Sequence, residues 1–179
     1  SCAAWIASIH QGIDVARATG VTHVAACTGK TSEEAVTALY GFEPSSILDM
    51  GDFVGGTIKY LRTYPIPKVT IASGFGKISK LAAGHMDLHS KRSQVDPNFI
   101  ASLAAKGGIN KNICTQIAKV ESAGNIIEII EKNNLKLGDY VAKTAQAIVN
   151  KEVKKDVDIE VLVYDRKGNQ IGHAPFKKG

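Results

Sequence analysis

Apolar residues Trp5, Ile6, Ile9, Ile13 and Ala16 recur at helical spacing, which predicts a helix under way almost from the first residue. Gly20 ends that pattern, and residues 21–27 read as a short buried strand. Thr28-Gly29-Lys30-Thr31 is then a loop, with Ser32 as a helix cap before Glu33-Glu34-Ala35-Val36. Acidic residues suit a first helical turn. Gly41 and Pro44 stop this helix. A second strand is expected over 46–50, and Gly51-Asp52 leads into a helix over about 53–62. Beyond Pro65 and Pro67, a third strand covers 68–72, and Gly74-Phe75-Gly76 turns it into a helix over about 77–83. The polar stretch 84–94 reads as an exposed loop.

The second half has a different rhythm. Asp96 before Pro97 marks a helix start, and further helical patterns run over 111–132 and 139–151. Residues 159–164 alternate like a strand, a turn follows around Gly168, and 170–173 return as its hairpin partner. Strands alternating with helices predict an α/β fold: a mainly parallel sheet flanked by helices, with a C-terminal antiparallel hairpin. Three regions follow within 1–179: strand–loop–helix units with ligand-binding character (1–95), a helical region (96–155) and the terminal hairpin (156–179).

The net charge is +5 and the pI about 9.1, but the basic residues are dispersed, without an arginine-rich stripe or interleaved aromatics. That distribution argues against a nucleic-acid partner and fits either a solvated basic surface or a small polyanionic ligand. Cys2, Cys27 and Cys114 are odd in number and far apart, so neither a disulfide framework nor a thiolate metal site is expected. A reducing, cytoplasmic setting follows. No apolar run spans a membrane and no signal peptide is visible. The missing initiator methionine and the immediate helix point to part of a larger protein.

In parallel sheets, ligands bind where strand ends lead into helix N-termini, which offer free N–H groups. Three segments have that form: Thr28 to Glu33, Asp49 to Gly56, and Ser73-Gly74-Phe75-Gly76-Lys77. None has Walker or dinucleotide spacing. Each alone reads as a plain turn, whereas three together favour a small anionic ligand. Asp49 and Asp52 suit ribose hydroxyls or an ammonium group, and Asp52 equally suits the cap of the next helix. Lys80 lies one helical turn beyond Lys77, so both can serve one site. His85 and His89 are four apart, yet Gly84 interrupts the helix and no third ligand is specified, so no metal is assigned. Cys27 reads as a small core residue.

The stretch Ser1-Cys2-Ala3-Ala4-Trp5-Ile6 through Asp14-Val15-Ala16-Arg17-Ala18 resembles part of the CbiD family, the cobalt-precorrin-5B C1-methyltransferases. So do Thr28-Gly29 with Ser32-Glu33, Asp52-Phe53-Val54-Gly55, and the closing Asp165-Arg166-Lys167-Gly168. The most specific piece is Gly76-Lys77-Ile78-Ser79-Lys80-Leu81-Ala82-Ala83-Gly84 with its trailing His89-Ser90. The resemblance covers nearly the whole chain in order, without the family's amino-terminal domain. It implies S-adenosylmethionine-dependent methylation of C1 of cobalt-precorrin-5B, giving cobalt-precorrin-6A in cobalamin biosynthesis. On that basis Thr28, Gly29, Ser32, Asp49, Gly51, Asp52, Gly55, Gly74 and Gly76 are expected to hold the cofactor. Lys77, Lys80, His89, Ser90, Lys91 and Arg92 are expected to meet the carboxylates of an anionic tetrapyrrole. Phe75 stands where many relatives have a histidine. The implied partners are the tetrapyrrole and the family's amino-terminal domain, with self-association left open and neither nucleic acid nor membrane involved. Two other readings stand beside this one: a non-catalytic half that binds cofactor or tetrapyrrole, and an unrelated nucleotide-binding α/β enzyme.

Overall fold

Strand β3 (Lys68–Gly74) lies at the centre of a five-stranded sheet of order β2-β1-β3-β4-β5. The structure, a computed structural model, describes residues 1–154 and 156–178, so the expected region limits at 155 and 179 lie outside the described residues. β1 (His23–Cys27), β2 (Ile47–Asp49), β3 and β4 (Asp158–Tyr164) are parallel, and β5 (Gln170–Lys178) returns antiparallel to β4. The expected fold class is thus the observed one. β5 continues well past 173, and β3 runs on to Gly74.

Alternation along the strands divides the core. Val24, Ala26, Val69, Ile71, Ile159, Val161 and Val163 share the larger cluster with α1 (Cys2–Ala18), α3 (Val54–Thr63), α4 (Phe75–Ala82) and α8 (Leu137–Val153). Ala25, Cys27, Ala72, Leu162 and Tyr164 face the other way, against Val36 of α2 (Lys30–Tyr40). Both faces are buried, as a parallel sheet requires. No helix among the described residues is long and apolar enough to cross a membrane.

Two local expectations change. Gly29, not Ser32, caps α2; Ser32 lies inside the first turn, where its hydroxyl donates to the Gly29 carbonyl at 2.9 Å. The pattern over 111–132 is two helices, α6 (Lys111–Ala118) and α7 (Ala123–Asn133), following α5 (Pro97–Lys106). Ile117 and Ile126 are both fully buried. Nine residues apart, they would point to opposite sides of one straight helix, about two and a half turns on. The break lets both reach the core. Ser122 starts the new helix by accepting from the Asn125 amide at 3.3 Å. Asp96 caps α5 as expected, accepting from the Phe99 amide at 3.1 Å.

Helix α8 rests on β5 backbone to backbone. A Cβ on Gly138 would run into the Ile171 carbonyl, and one on Gly172 into the Gly138 carbonyl. Neither glycine has a positive φ; space alone demands them.

On the α2 side, a buried carboxylate organises the lower sheet. Glu160 is 4% exposed, and its Oε1 accepts from the hydroxyls of Tyr40 (2.5 Å) and Thr70 (2.8 Å). Thr70 has given its only proton to Glu160, so it must accept from His23 Nε2 at 2.7 Å. His173 Nε2 meets the second oxygen, Oε2, at 2.8 Å. Burial lowers the His23 pKa below 6.5; the field of Glu160 opposes that shift and Lys68 adds to it.

The fold makes two predictions. Gly138→Ala and Gly172→Ala should each cost about 2–3 kcal/mol in denaturant unfolding, because backbone cannot yield as a side chain can. A loss under about 0.5 kcal/mol would contradict the contact. The second concerns pH. Folded His23 stays neutral to lower pH than the unfolded chain, so its contribution is complete above about pH 6.5 and is lost as pH falls below that. His23→Gln should therefore flatten the decline in stability between about pH 7 and about pH 5. Unfolding curves of equal steepness in both proteins would refute it.

Candidate functional site

From β1 the chain passes through α2 to β2 on one side; from β3 it departs toward β4 on the other. β1 and β3 are neighbours, so the loops at their carboxyl ends diverge and leave a crevice between them. It measures about 420 Å³ and is lined by Thr28, Ser73, Gly74, Lys77, Gly124 and Arg166, among others. That volume is within the range of small-molecule sites, ~300–1,000 Å³.

The floor is a hydroxyl pair, Thr28 Oγ1 to Ser73 Oγ at 2.6 Å. One hydroxyl donates to the other, so the acceptor's own proton is left for a further partner. Ser73 is fully buried and Thr28 half-buried. Gly74 follows in extended conformation, and a Cβ there would meet only the Tyr164 carbonyl, at 3.9 Å. α4 starts without a side-chain cap, which leaves its first N–H groups available. Phe75, 1% exposed, anchors this first turn in the core.

Lys77 is held from the loop after β2. Its ammonium lies 2.9 Å from Asp52 Oδ1, off the hydrogen-bonding axis, so the contact is an ion pair. Lys80 turns inward instead. It is 8% exposed and donates to the Leu88 carbonyl at 2.9 Å. Burial lowers its pKa, Asp52 and Asp87 raise it and Lys77 lowers it further. The Leu88 amide in turn donates to the Asp52 carbonyl at 3.1 Å, so Lys80 ties the 84–93 segment to the loop carrying Asp52.

The third wall is the turn between β4 and β5. Asp165 Oδ1 accepts from the amides of Lys167 and Asn169, each at 2.9 Å, and Oδ2 accepts from Asn169 Nδ2 at 3.0 Å. Burial works to raise its pKa, and these bonds together hold it below the usual value. Tyr164 lines the crevice, is 3% exposed and has a hydroxyl without a hydrogen-bond partner. Burial, with the fields of Cys27 and Glu160, pushes that phenol up to about 12. Burial likewise raises Cys27 to about 12, so it is an inert thiol in the core.

Of the residues singled out in the sequence, the crevice brings together Thr28, Gly74, Gly76 and Lys77. Asp52 joins them through Lys77, and α3, whose start it was also suited to cap, begins without a side-chain cap. Gly29 opens to free space, while Ser32 is buried beneath it. Gly51 and Gly55 are used by packing: Cβ atoms there would meet Trp5 at 2.7 Å and Met86 at 3.0 Å. Asp49 is exposed and borders a separate groove with Glu33 and Glu34. His89, Ser90, Lys91 and Arg92 lie exposed on the 84–93 segment, where Arg92 Nε is 3.8 Å from Asp87 Oδ2. Ser73, Gly124, Tyr164 and Arg166 were not among the expected site residues. The Ser122-Ala123-Gly124-Asn125 start of α7 is the one local signal that points to Gly124.

Residues 87–175 match the family described as CbiD, C-terminal domain. The cobalt-precorrin-5B C(1)-methyltransferase of Burkholderia pseudomallei is 45% identical over 175 residues, covering 98% of this chain and 48% of the relative. That of Paramagnetospirillum magneticum is 48% identical over 97% of the chain and 48% of its own length. The chain belongs to the CbiD family. It spans about half the length of these curated relatives. No solved structure matches it. The family domain supplies Gly124, Tyr164 and Arg166 to the crevice, while Thr28, Ser73 and Lys77 precede it.

Lys80 gives the packing beside the crevice a direct test. Lys80→Met should cost about 1 kcal/mol and speed hydrogen exchange at the Leu88 amide, because the Leu88 carbonyl loses its partner. Unchanged exchange there would show that Lys80 does not hold the segment.

Proposed function

We propose that the chain serves S-adenosylmethionine-dependent methylation of C1 of cobalt-precorrin-5B, with donor and macrocycle meeting at the crevice between β1 and β3. The observation that carries this reading is the convergence of Lys77, the Thr28–Ser73 hydroxyl pair and the open Gly74 backbone at the switch point. Identity of 45–48% to chains named for this reaction supports it. The donor supplies a methyl already bonded to a positively charged sulfur, which leaves as a neutral thioether when the new carbon–carbon bond forms. The protein's task is alignment and exclusion of water. No side-chain nucleophile is needed.

The residues present fit both ligands. Thr28, Gly29, Gly74 and Gly76 offer backbone and hydroxyl contacts to the donor, whereas Asp49 and Glu33 line a separate groove and stand outside this contact set. Ser32 and Gly51, Asp52 and Gly55 hold those loops in place. Lys77 meets a macrocycle carboxylate, and the exposed His89, Ser90, Lys91 and Arg92 supply outer contacts. The three free cysteines suit a reducing cytoplasm. The coverage of 48% favours a second reading, in which this half binds the ligands and the remainder of a relative-length protein completes the reaction.

Gly74 discriminates. A Cβ at 74 meets nothing closer than the Tyr164 carbonyl at 3.9 Å, so Gly74→Val should leave the thermal midpoint near that of the unaltered chain. It should nevertheless weaken calorimetric binding of S-adenosylhomocysteine at least about tenfold. Equal binding by both proteins would place the donor elsewhere. Transfer of labelled methyl to the macrocycle by the chain alone would exclude the binding-half reading.

A further inference from the structure

Arg166 stands at the second position of the β4–β5 turn, exposed, and faces the crevice from the side away from Asp52. The turn under it is rigid: besides the three bonds to the Asp165 carboxylate, the Asp165 amide donates to the Asn169 carbonyl at 2.9 Å. Asp165 is the nearest acid in sequence, yet its oxygens are committed to the turn. Among the described residues, no carboxylate lies within ion-pair distance of Arg166. Glu128 and Glu131 share with Arg166 an adjoining groove along α7, but neither carboxylate is within ion-pair distance of it.

The guanidinium also rests in an unfavourable place. Its Nη2 is 3.6 Å from where a Cβ of Gly124 would stand, so it lies over the first turn of α7. A helix N-terminus carries partial positive charge, and cations are disfavoured there. Two sources of positive potential therefore meet with no anion from the chain between them. Glycine at 124 keeps the approach to the α7 amides open, and Ser122 occupies only one of them, that of Asn125.

We propose that Arg166, over Gly124, is a carboxylate-reading residue of the crevice. It takes one acidic arm of the ligand while Lys77 takes another. This inference rests on the tetrapyrrole reading above and adds the residue that selects an ionised arm over a neutral amide. A guanidinium offers two parallel N–H donors to a carboxylate, which a primary amide cannot accept in the same way.

Two probes separate the possibilities: cobyrinic acid, a corrin polycarboxylate, and cobinamide, its amidated counterpart, each titrated by visible absorbance. The unaltered chain should prefer the acid. Arg166→Met should weaken the acid about tenfold and leave the amide unchanged. Arg166→Lys should recover part of the loss, and Lys167→Met, on the same turn but outside the crevice, should change neither. Thermal midpoints check folding. If Arg166→Met binds the acid as tightly as the unaltered chain, or weakens both corrins equally, Arg166 does not read a carboxylate, although the tetrapyrrole reading survives. Failure of the unaltered chain to bind cobyrinic acid overturns both.

Discussion

The backbone contact between Gly138 and Gly172 fixes where α8 lies on the sheet. From that seat Val141, Ala145 and Val149 enter the core, all fully buried. Gln146 is placed to donate to the Ile159 and Pro175 carbonyls, at 2.8 and 2.5 Å, where the β4–β5 pairing is irregular. The Ile159 carbonyl would otherwise be buried without a partner. Asp139, one residue after Gly138, accepts from the His173 amide at 2.9 Å and extends the clasp. α8 also packs against α4, whose first turn borders the crevice. One close contact outside the crevice lining thus sets two of its walls.

The two cations of the crevice are not equivalent. Lys77 is already compensated by Asp52, so an incoming anion must compete with a resident carboxylate. Arg166 has no such competitor among the described residues. Because Asp52 follows β2 and Arg166 follows β4, potential rises across the crevice from one side to the other. A ligand with unevenly distributed charge therefore has one preferred way round.

Periodicity and punctuation exposed most of the architecture. Trp5 to Ala16 marked α1, Asp96-Pro97 marked α5, and the apolar runs before glycine loops marked the parallel strands. The division between α6 and α7 was hidden, since both halves carry apolar residues at helical spacing and only tertiary burial sets their phases apart. Among the loops, glycine spacing alone did not separate Gly74, which opens to space, from Gly51 and Gly55, which sit beneath side chains. Lys80 illustrates the same limit. Its helical spacing from Lys77 is real, but α4 is so deeply inserted that the second lysine reaches a backbone carbonyl. Arg166 stood in the closing motif, but no local pattern placed it in the crevice, because its neighbours there come from strands and helices distant in sequence.

Trp5, the chain's single tryptophan, lies edge-on to Phe53, covers Gly51 at positive φ and donates its indole N–H to the Asp49 carbonyl at 3.0 Å. The loop it covers is the one that carries Asp52 toward Lys77. An indole that shares a hydrogen bond with that loop and stays partly open to water changes its emission when the loop shifts. The fold has therefore placed its one strong fluorophore where displacement of Asp52 becomes visible as light, without any label attached.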